Sequence, residues 1–216
     1  LPIPPYLLGA WLGDGAKDAV VITHHSTDVD IVHQCAQQTG LTLRSRRDSR
    51  NPEVMSTKIG DSRTRRLFKS LNLLTREVGR SRKHIPELYK HASIEQRFAL
   101  LAGLLDTDGT ASKRSPGHVE LCLCNKRLAE DALELIRSLG IKAHMHESDA
   151  KLRGRVTGKR YRITFTTSVP VFSLARKLDI QTARRSEVGS KAKLRYIVDA
   201  REVESEPMRC ISVAAE

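Results

Sequence analysis

An apolar segment that ends in an acid and a glycine occurs twice in this chain, as "YLLGAWLGDGA" (residues 6–16) and "LLAGLLDTDGT" (residues 100–110). Asp14 falls on Asp108 at an offset of 94, and the likeness continues past the motifs. "AVVITHH" (19–25) lies over "HVELCLC" (118–124), and "VHQCAQQTGLTLRSR" (32–46) over "ALELIRSLGIKAHMH" (132–146). The second alignment sets Gly40 on Gly140, and glycine is the usual terminator of an amphipathic helix. Further on, "RLFKSLNLL" (66–74) resembles "PVFSLARKL" (170–178), with Phe68 over Phe172. Each half reads helix, strands around a second helix, more strand, then helix: an α+β unit used twice. The expected organisation is a first half over 1–95, a second over 96–198, and an acidic tail outside the repeat over 199–216.

Both motifs read as helices, the first opened by Pro4 and Pro5. Gly9 and Gly13 share one helix face, and Gly103 and Thr107 hold the matching positions. Small residues four apart let two helix backbones approach closely. Leu7, Leu8, Leu12, Leu101, Leu104 and Leu105 can then seal the pair onto the two cores. So packed, the helices end side by side, with Asp14 and Asp108 at one end and Gly15 and Gly109 expected to permit the turn into the next strand. Two carboxylates forced together are costly unless something neutralises them, and a hard divalent cation does so. A single acid–glycine ending is an ordinary helix stop; two at equivalent repeat positions are a site.

Charge points to the partner. The chain carries 37 Lys+Arg against 25 Asp+Glu, a net +12, which implies a polyanion and first of all nucleic acid. The strands place the surplus on one face. In "KRYRITFT" (159–166), Tyr161, Ile163 and Phe165 alternate with Arg160, Arg162 and Thr164; Lys142, His144 and His146 alternate with Ala143 and Met145; Arg44 and Arg46 oppose Leu43. With Lys58, and with Arg153 and Arg155 at a basic hairpin tip (151–160), these are the expected DNA contacts. A two-stranded ribbon fits a major groove. The linker over 81–97 carries Pro86 as a breaker and Ser93 as a cap for the second motif helix. Cys35, Cys122, Cys124 and Cys210 show no zinc spacing and read as reduced structural thiols, in keeping with an intracellular protein. The longest apolar run, 98–105, is far short of a membrane span, and no signal peptide is present. A start at Leu1 without Met is the expectation for an excised piece.

"LLGAWLGDG" and "LAGLLDTDG" resemble the paired motifs of the LAGLIDADG homing endonucleases of the single-chain type, and the resemblance covers roughly residues 5–198. It implies an αββαββα fold per half, motif helices at the interface, and a saddle of antiparallel sheets. It also implies a monomer making a metal-dependent, staggered double-strand break across the minor groove of a long, nearly palindromic DNA site. Carried over by position, Asp14 and Asp108 are the metal-binding catalytic acids and the carbonyls of Gly13 and Thr107 further ligands. Mg²⁺ is the implied ion, with Mn²⁺ or Ca²⁺ able to take the site. Asp106 stands where the first motif has Leu12 and is not the metal acid. "KHIP" (83–86) resembles the lysine block of intein-borne members, which nominates Lys83, with Lys177 as counterpart through the Phe68/Phe172 alignment. "PMRCISV" (207–213) resembles the start of a carboxy-terminal splicing block, but Leu1 is no splicing nucleophile and the chain ends without His-Asn. The chain therefore resembles the endonuclease region of an intein. The alternative is a non-cleaving relative, an RNA-splicing maturase or DNA-binding regulator, which tolerates loss of the acids that are intact here. Because many phosphates are neutralised at once, duplex affinity measured by titration should fall steeply with salt, by roughly 10³-fold or more between 50 and 200 mM; a flat response would exclude a cationic saddle.

Overall fold

A computed structural model of the chain describes residues 1–40, 43–78, 81–115, 117–183, 194, 197 and 199–208. The splicing-like stretch falls mostly outside them, as does Cys210. The first half runs α1 (Pro5–Asp14), β1 (Val21–His25), a 3₁₀ turn (Ser26–Asp28), α2 (Val29–Thr39), β2 (Leu43–Arg47), β3 (Val54–Ile59) and α3 (Ser62–Ser70). A linker with the one-turn helix α4 (Glu87–Lys90) leads to α5 (Ile94–Asp108), β4 (Gly109–Ala111), β5 (His118–Leu123), α6 (Lys126–Ser138), β6 (Ala143–Leu152), β7 (Arg155–Thr166) and α7 (Ala175–Thr182). All strand pairs are antiparallel, in the orders β1-β3-β2 and β4-β5-β7-β6.

The second half thus shows the full αββαββα order. In the first, the counterpart of β4 is a single bridge, Gly15↔Ile22. The reason is chain length: six residues separate α1 from β1, against nine between α5 and β5. With Ala16 already donating to the Val21 carbonyl, the chain reverses before a strand can form.

Local signals act as read. Pro5 occupies the first turn of α1, and Ser93 caps α5 in a reciprocal capping box with Gln96. Gly40 and Gly140 take left-handed φ of 63° and 77° behind α2 and α6. Val119, Leu121, Tyr161, Ile163 and Phe165 turn inward from β5 and β7 onto α6, whose Leu128, Ala132, Leu135 and Ile136 are buried. In the first half Trp11 is fully buried, donates to the Ala19 carbonyl at 2.8 Å, and meets Phe68 edge-on at 4.9 Å. Cys35 is a core thiol, but Cys122 and Cys124 are exposed, because both lie on the outward parity of β5 and its extension. Among the described residues, no helix is long and apolar enough to cross a membrane.

The centre of the molecule is the α1–α5 pair. A Cβ on Gly9 would collide with the backbone of Leu100 and Leu104, and one on Gly103 with the backbone of Tyr6 and Ala10. The offset of 94 maps one pair of contacts onto the other, so the packing is reciprocal. Gly15 and Gly109 depart from the expectation: their φ values, −77° and −86°, are open to any residue. What demands glycine there is space, since a Cβ would strike Trp11 in the first case and Leu105 in the second.

Three further ties fix the halves. The Tyr89 hydroxyl both donates to the Ile3 carbonyl and accepts from the Ile3 N–H, each at 2.8 Å. Lys90 lies 2.8 Å from both Asp131 and Glu134 of α6. Arg176 of α7 makes a bidentate pair with Asp28, at 2.7 and 2.6 Å, across the two halves. Because the collisions at Gly9 and Gly103 are with backbone, which cannot rotate aside, Gly9→Ala or Gly103→Ala should each destabilise the fold by about 3 kcal/mol or more in urea unfolding; a loss below about 1 kcal/mol would show that the helices are not in backbone contact.

Candidate active site

Asp14 is the last residue of α1 and Asp108 the last of α5. The two helices run side by side and in register, so both acids reach one end of the interface. The Asp108 carboxyl carbon stands 3.3 Å from where a Gly13 Cβ would be, beside the Thr107 side chain. A helix C-terminus carries unpaired carbonyls and the negative end of the helix dipole. Two such ends and two carboxylates therefore converge on one spot.

The electrostatics follow. Asp108 is half-buried, and its carboxyl is pushed up to about 6, first by burial and then by the charge of Asp14, with Lys83 and Lys177 opposing. Asp14 opens to solvent at the mouth of the site; protein mass around its carboxyl raises its proton affinity too, against the pull of Lys83, Lys177 and His24. Lys83 is half-buried and donates to the Gly13 carbonyl at 2.6 Å, its ammonium 5.3 Å from the Trp11 ring centre. Burial lowers it to about 8 even though both acids favour its charge.

Lys83 is positioned by the linker. Asn125, the N-cap of α6, accepts from Leu128 N–H and donates to the Lys83 carbonyl at 2.9 Å, and Ile85 N–H donates to Asp131. Lys177 reaches the same place from another direction. It is buried in α7, 5.8 Å from the Phe172 ring centre, and donates to the carbonyls of Leu105, Asp106, Thr107 and Gly109. The Phe68/Phe172 alignment that nominated Lys177 does not hold, since Phe68 lies inside α3 and Phe172 precedes α7, yet the two lysines donate to the matching carbonyls of Gly13 and Thr107. Asp106 is 1% exposed and accepts from the Tyr6 hydroxyl and from the N–H groups of Ser173 and Leu174. It ties α1 and the entry of α7 to α5, and this keeps it out of the mouth of the site.

The donor set suits a hard cation. Asp14, Asp108 and the carbonyls of Gly13 and Thr107 offer only oxygen, at two negative helix ends. Among the described residues no three His, Cys, Asp or Glu side chains cluster as a metal cage, and a cation held here would complete its shell with water or phosphate oxygens. Mg²⁺ is commonly held in this way.

The sheets place the basic residues. Arg44, Arg46 and Lys58 are exposed on one face, with Arg44 directly opposite Lys58 and Arg46 opposite Ser56. On the other sheet His144, His146, Arg162 and Thr164 share a face, in the pairs His144↔Thr164 and His146↔Arg162. Arg160 donates to Ser148, and Arg162 lies 3.1 Å from Glu120. Arg153 and Arg155 are exposed at the hairpin end. Lys142 precedes β6 and donates to the Leu194 carbonyl. Sequence reading missed Asn125, Asp131 and the Asp28–Arg176 pair. The partners lie 42, 46 and 148 residues apart, and only the fold joins them.

A model of the homing endonuclease family matches residues 84–193, half of the chain. The chain belongs to the homing endonuclease family. The match begins at the linker that carries Lys83 and takes in the whole second motif. The chain is also 36% identical over 212 residues to the replicative DNA helicase DnaB of Mycobacterium intracellulare, a match to 98% of this chain that spans 32% of the helicase. Among solved structures, a set of mesophilic variants of the homing endonuclease I-DmoI shares the fold at 15% identity and a TM-score of 0.52, over 85% of this chain and 96% of that one. I-DmoI in complex with DNA and Ca does so at 16% identity and 0.52, over 76% and 83%.

The raised Asp108 carboxyl has a measurable consequence. A carboxyl whose pKa rises on folding binds more protons in the folded state, so its share of stability is intact near pH 4 and is lost as pH rises through about 6. Unfolding of metal-free protein should therefore show Asp108→Asn level with wild type at pH 4 and more stable by about 1–3 kcal/mol at pH 7. A difference independent of pH would refute the carboxylate crowding.

Proposed function

We propose that this chain is a site-specific DNA endonuclease that makes a metal-dependent, staggered double-strand break in a long duplex target. The observation that carries the reading is the meeting of Asp14 and Asp108 at one end of a reciprocal helix pair, with a basic sheet face in each half. One acid per half matches two strands to be cut, and proximity across a single helix interface matches scissile phosphates that face each other across a minor groove. The halves proposed are 1–95 and 96–198. We read the chain as acting as a monomer, since both acids come from one polypeptide.

The roles divide by position. Asp14 and Asp108, with the Gly13 and Thr107 carbonyls, would hold the divalent cation, whose bound charge neutralises the scissile phosphates and activates water. Lys83 reaches the site with one carbonyl partner and an ammonium that is charged at neutral pH yet lowered enough to give up a proton. Its task is to stabilise charge at the phosphate and to move a proton at Nζ. Lys177, spread over four carbonyls at the end of α5, sets the position of the Asp108 backbone. The exposed basic residues of the two sheets bind phosphates and base edges. The match of nearly the whole chain to a third of a replicative helicase, together with the splicing-like "PMRCISV", supports reading it as an endonuclease region carried inside such a host protein, with 199–216 leading back to the host.

Incubation with Mg²⁺ and a randomised duplex library, followed by sequencing of cut ends, tests this reading and yields the target. Asp14→Asn and Asp108→Asn should each abolish double-strand cleavage while changing DNA affinity less than about tenfold. Lys83→Met should slow cleavage by about 10²-fold or more. Full cleavage by either Asn variant would refute the mechanism, and binding without cleavage by the wild type would favour the DNA-binding regulator or maturase reading.

A further inference from the structure

The two ribbons that carry the basic faces differ in reach. In the first half β2 and β3 span 5 and 6 residues, and the loop between them curls back, with the Asp48 carboxylate accepting from the N–H groups of Arg50 and Asn51. In the second half β6 and β7 span 10 and 12 residues and close through a tight turn at Arg153 and Gly154, whose φ values of 49° and 81° suit a two-residue hairpin. At about 3.3 Å per residue, the extra five paired positions carry the second ribbon some 16 Å further out. That distance is about 3 to 5 base pairs of duplex at 3.4 Å each.

The ribbon also changes parity on its way out. Ala150 pairs with Gly158, but Lys151 pairs with Val156, so Thr157 is an extra residue on β7. Its hydroxyl donates to the Ala150 carbonyl at 3.2 Å, which pins the bulge. Because β6 continues without interruption, Leu152 keeps the face of His144 and His146, and its partner Arg155 joins that face. Without the bulge, Arg155, five residues from Arg160, would point to the other side. The opposite face holds the acids: Lys159 lies 2.9 Å from Asp149 and 3.7 Å from Glu147. The acids of the ribbon are thus paired by Lys159 on one face, and the other keeps its basic residues out to the tip, where Leu152 is 66% exposed.

From this geometry we infer that the DNA target is lopsided: the second half reads about 3 to 5 base pairs further from the cut than the first, and Arg155 with Leu152 is its outermost base-reading pair. The inference rests on the endonuclease reading. Arg is the common bidentate partner of guanine, and an apolar side chain suits a thymine methyl. The partner chemistry is therefore a major groove whose outer positions carry those groups.

The test is the same library, scored position by position on both sides of the cut and by hydroxyl-radical protection of bound duplexes. Wild type should show preference and protection extending about 3 to 5 base pairs further on one side. Arg155→Ala, an exposed change that leaves the core untouched, should weaken selection at those outermost positions about tenfold and leave the cut position and the other side unchanged. Deletion of Thr157 would leave Arg155 four residues from Arg160 on an unbroken strand, and so on the same face, and should keep the wild-type profile at those positions. Preferences of equal extent, or an Arg155→Ala profile equal to wild type, overturn the inference while leaving the endonuclease reading in place. Absence of any duplex binding or cleavage overturns both.

Discussion

Everything in this molecule depends on how closely α1 and α5 approach. Gly9 and Gly103 each face the partner's backbone with no room for a Cβ, so separation and register are set by backbone atoms and not by adjustable side chains. Register decides the rest. A slip of one turn, about 5.4 Å, would carry Asp14 away from Asp108 and would detach both sheets from a common surface. An interface of larger residues could bury as much apolar area, but it would not bring the two helix ends together. The leucines supply the adhesion, and the glycines supply the distance.

That distance creates an electrostatic cost, and two lysines offset part of it. Burial first, and then the charge of Asp14, push the Asp108 carboxyl up to about 6. Lys83 donates to the Gly13 carbonyl at 2.6 Å, and Lys177 spreads its ammonium over four carbonyls at the end of α5, at 2.7 Å for Asp106 and Gly109. Each also lies near an aromatic ring, Trp11 or Phe172, where a cation is favoured. The lysines thus offset part of the negative charge while leaving the carboxylates open at the mouth. Burial and crowding of the carboxylates raise their proton affinity, and the same arrangement of oxygen donors suits a hard cation.

Much of this was legible in the sequence because the determinants are local or repeated. The motif helices, their caps at Pro5 and Ser93, the left-handed glycines and the period of the strands follow from residues within a few positions of each other. The pairing of the acids was legible because a repeat supplies its own alignment. Asp106 could also be set aside, since Leu12 replaces it in the first copy. Three things could not be read. Gly15 and Gly109 looked like flexible turn residues, and only the packed side chain of Trp11 and the backbone of Leu105 show that space is the constraint. Lys177 was nominated through the Phe68/Phe172 alignment, which the fold does not keep, and only the fold shows its four carbonyl partners at the end of α5. The clamp of Asn125 and Asp131 on the linker, like the Asp28–Arg176 pair, joins residues that no periodicity connects.

The halves are therefore symmetric where backbone packing requires it and divergent elsewhere. The helix pair obeys one offset to the residue, while the strand after the first motif shrinks to a bridge, the lysines arrive from a linker and from a helix, and one ribbon is twice the other in length. Duplication gives two identical halves at first, and the interface cannot drift without losing the site. The outer surfaces carry no such constraint, because each strand face meets a different stretch of any asymmetric partner. One large difference lies at the hairpin ending in Arg153–Gly154, where β6 and β7 run 10 and 12 residues against 5 and 6 for β2 and β3.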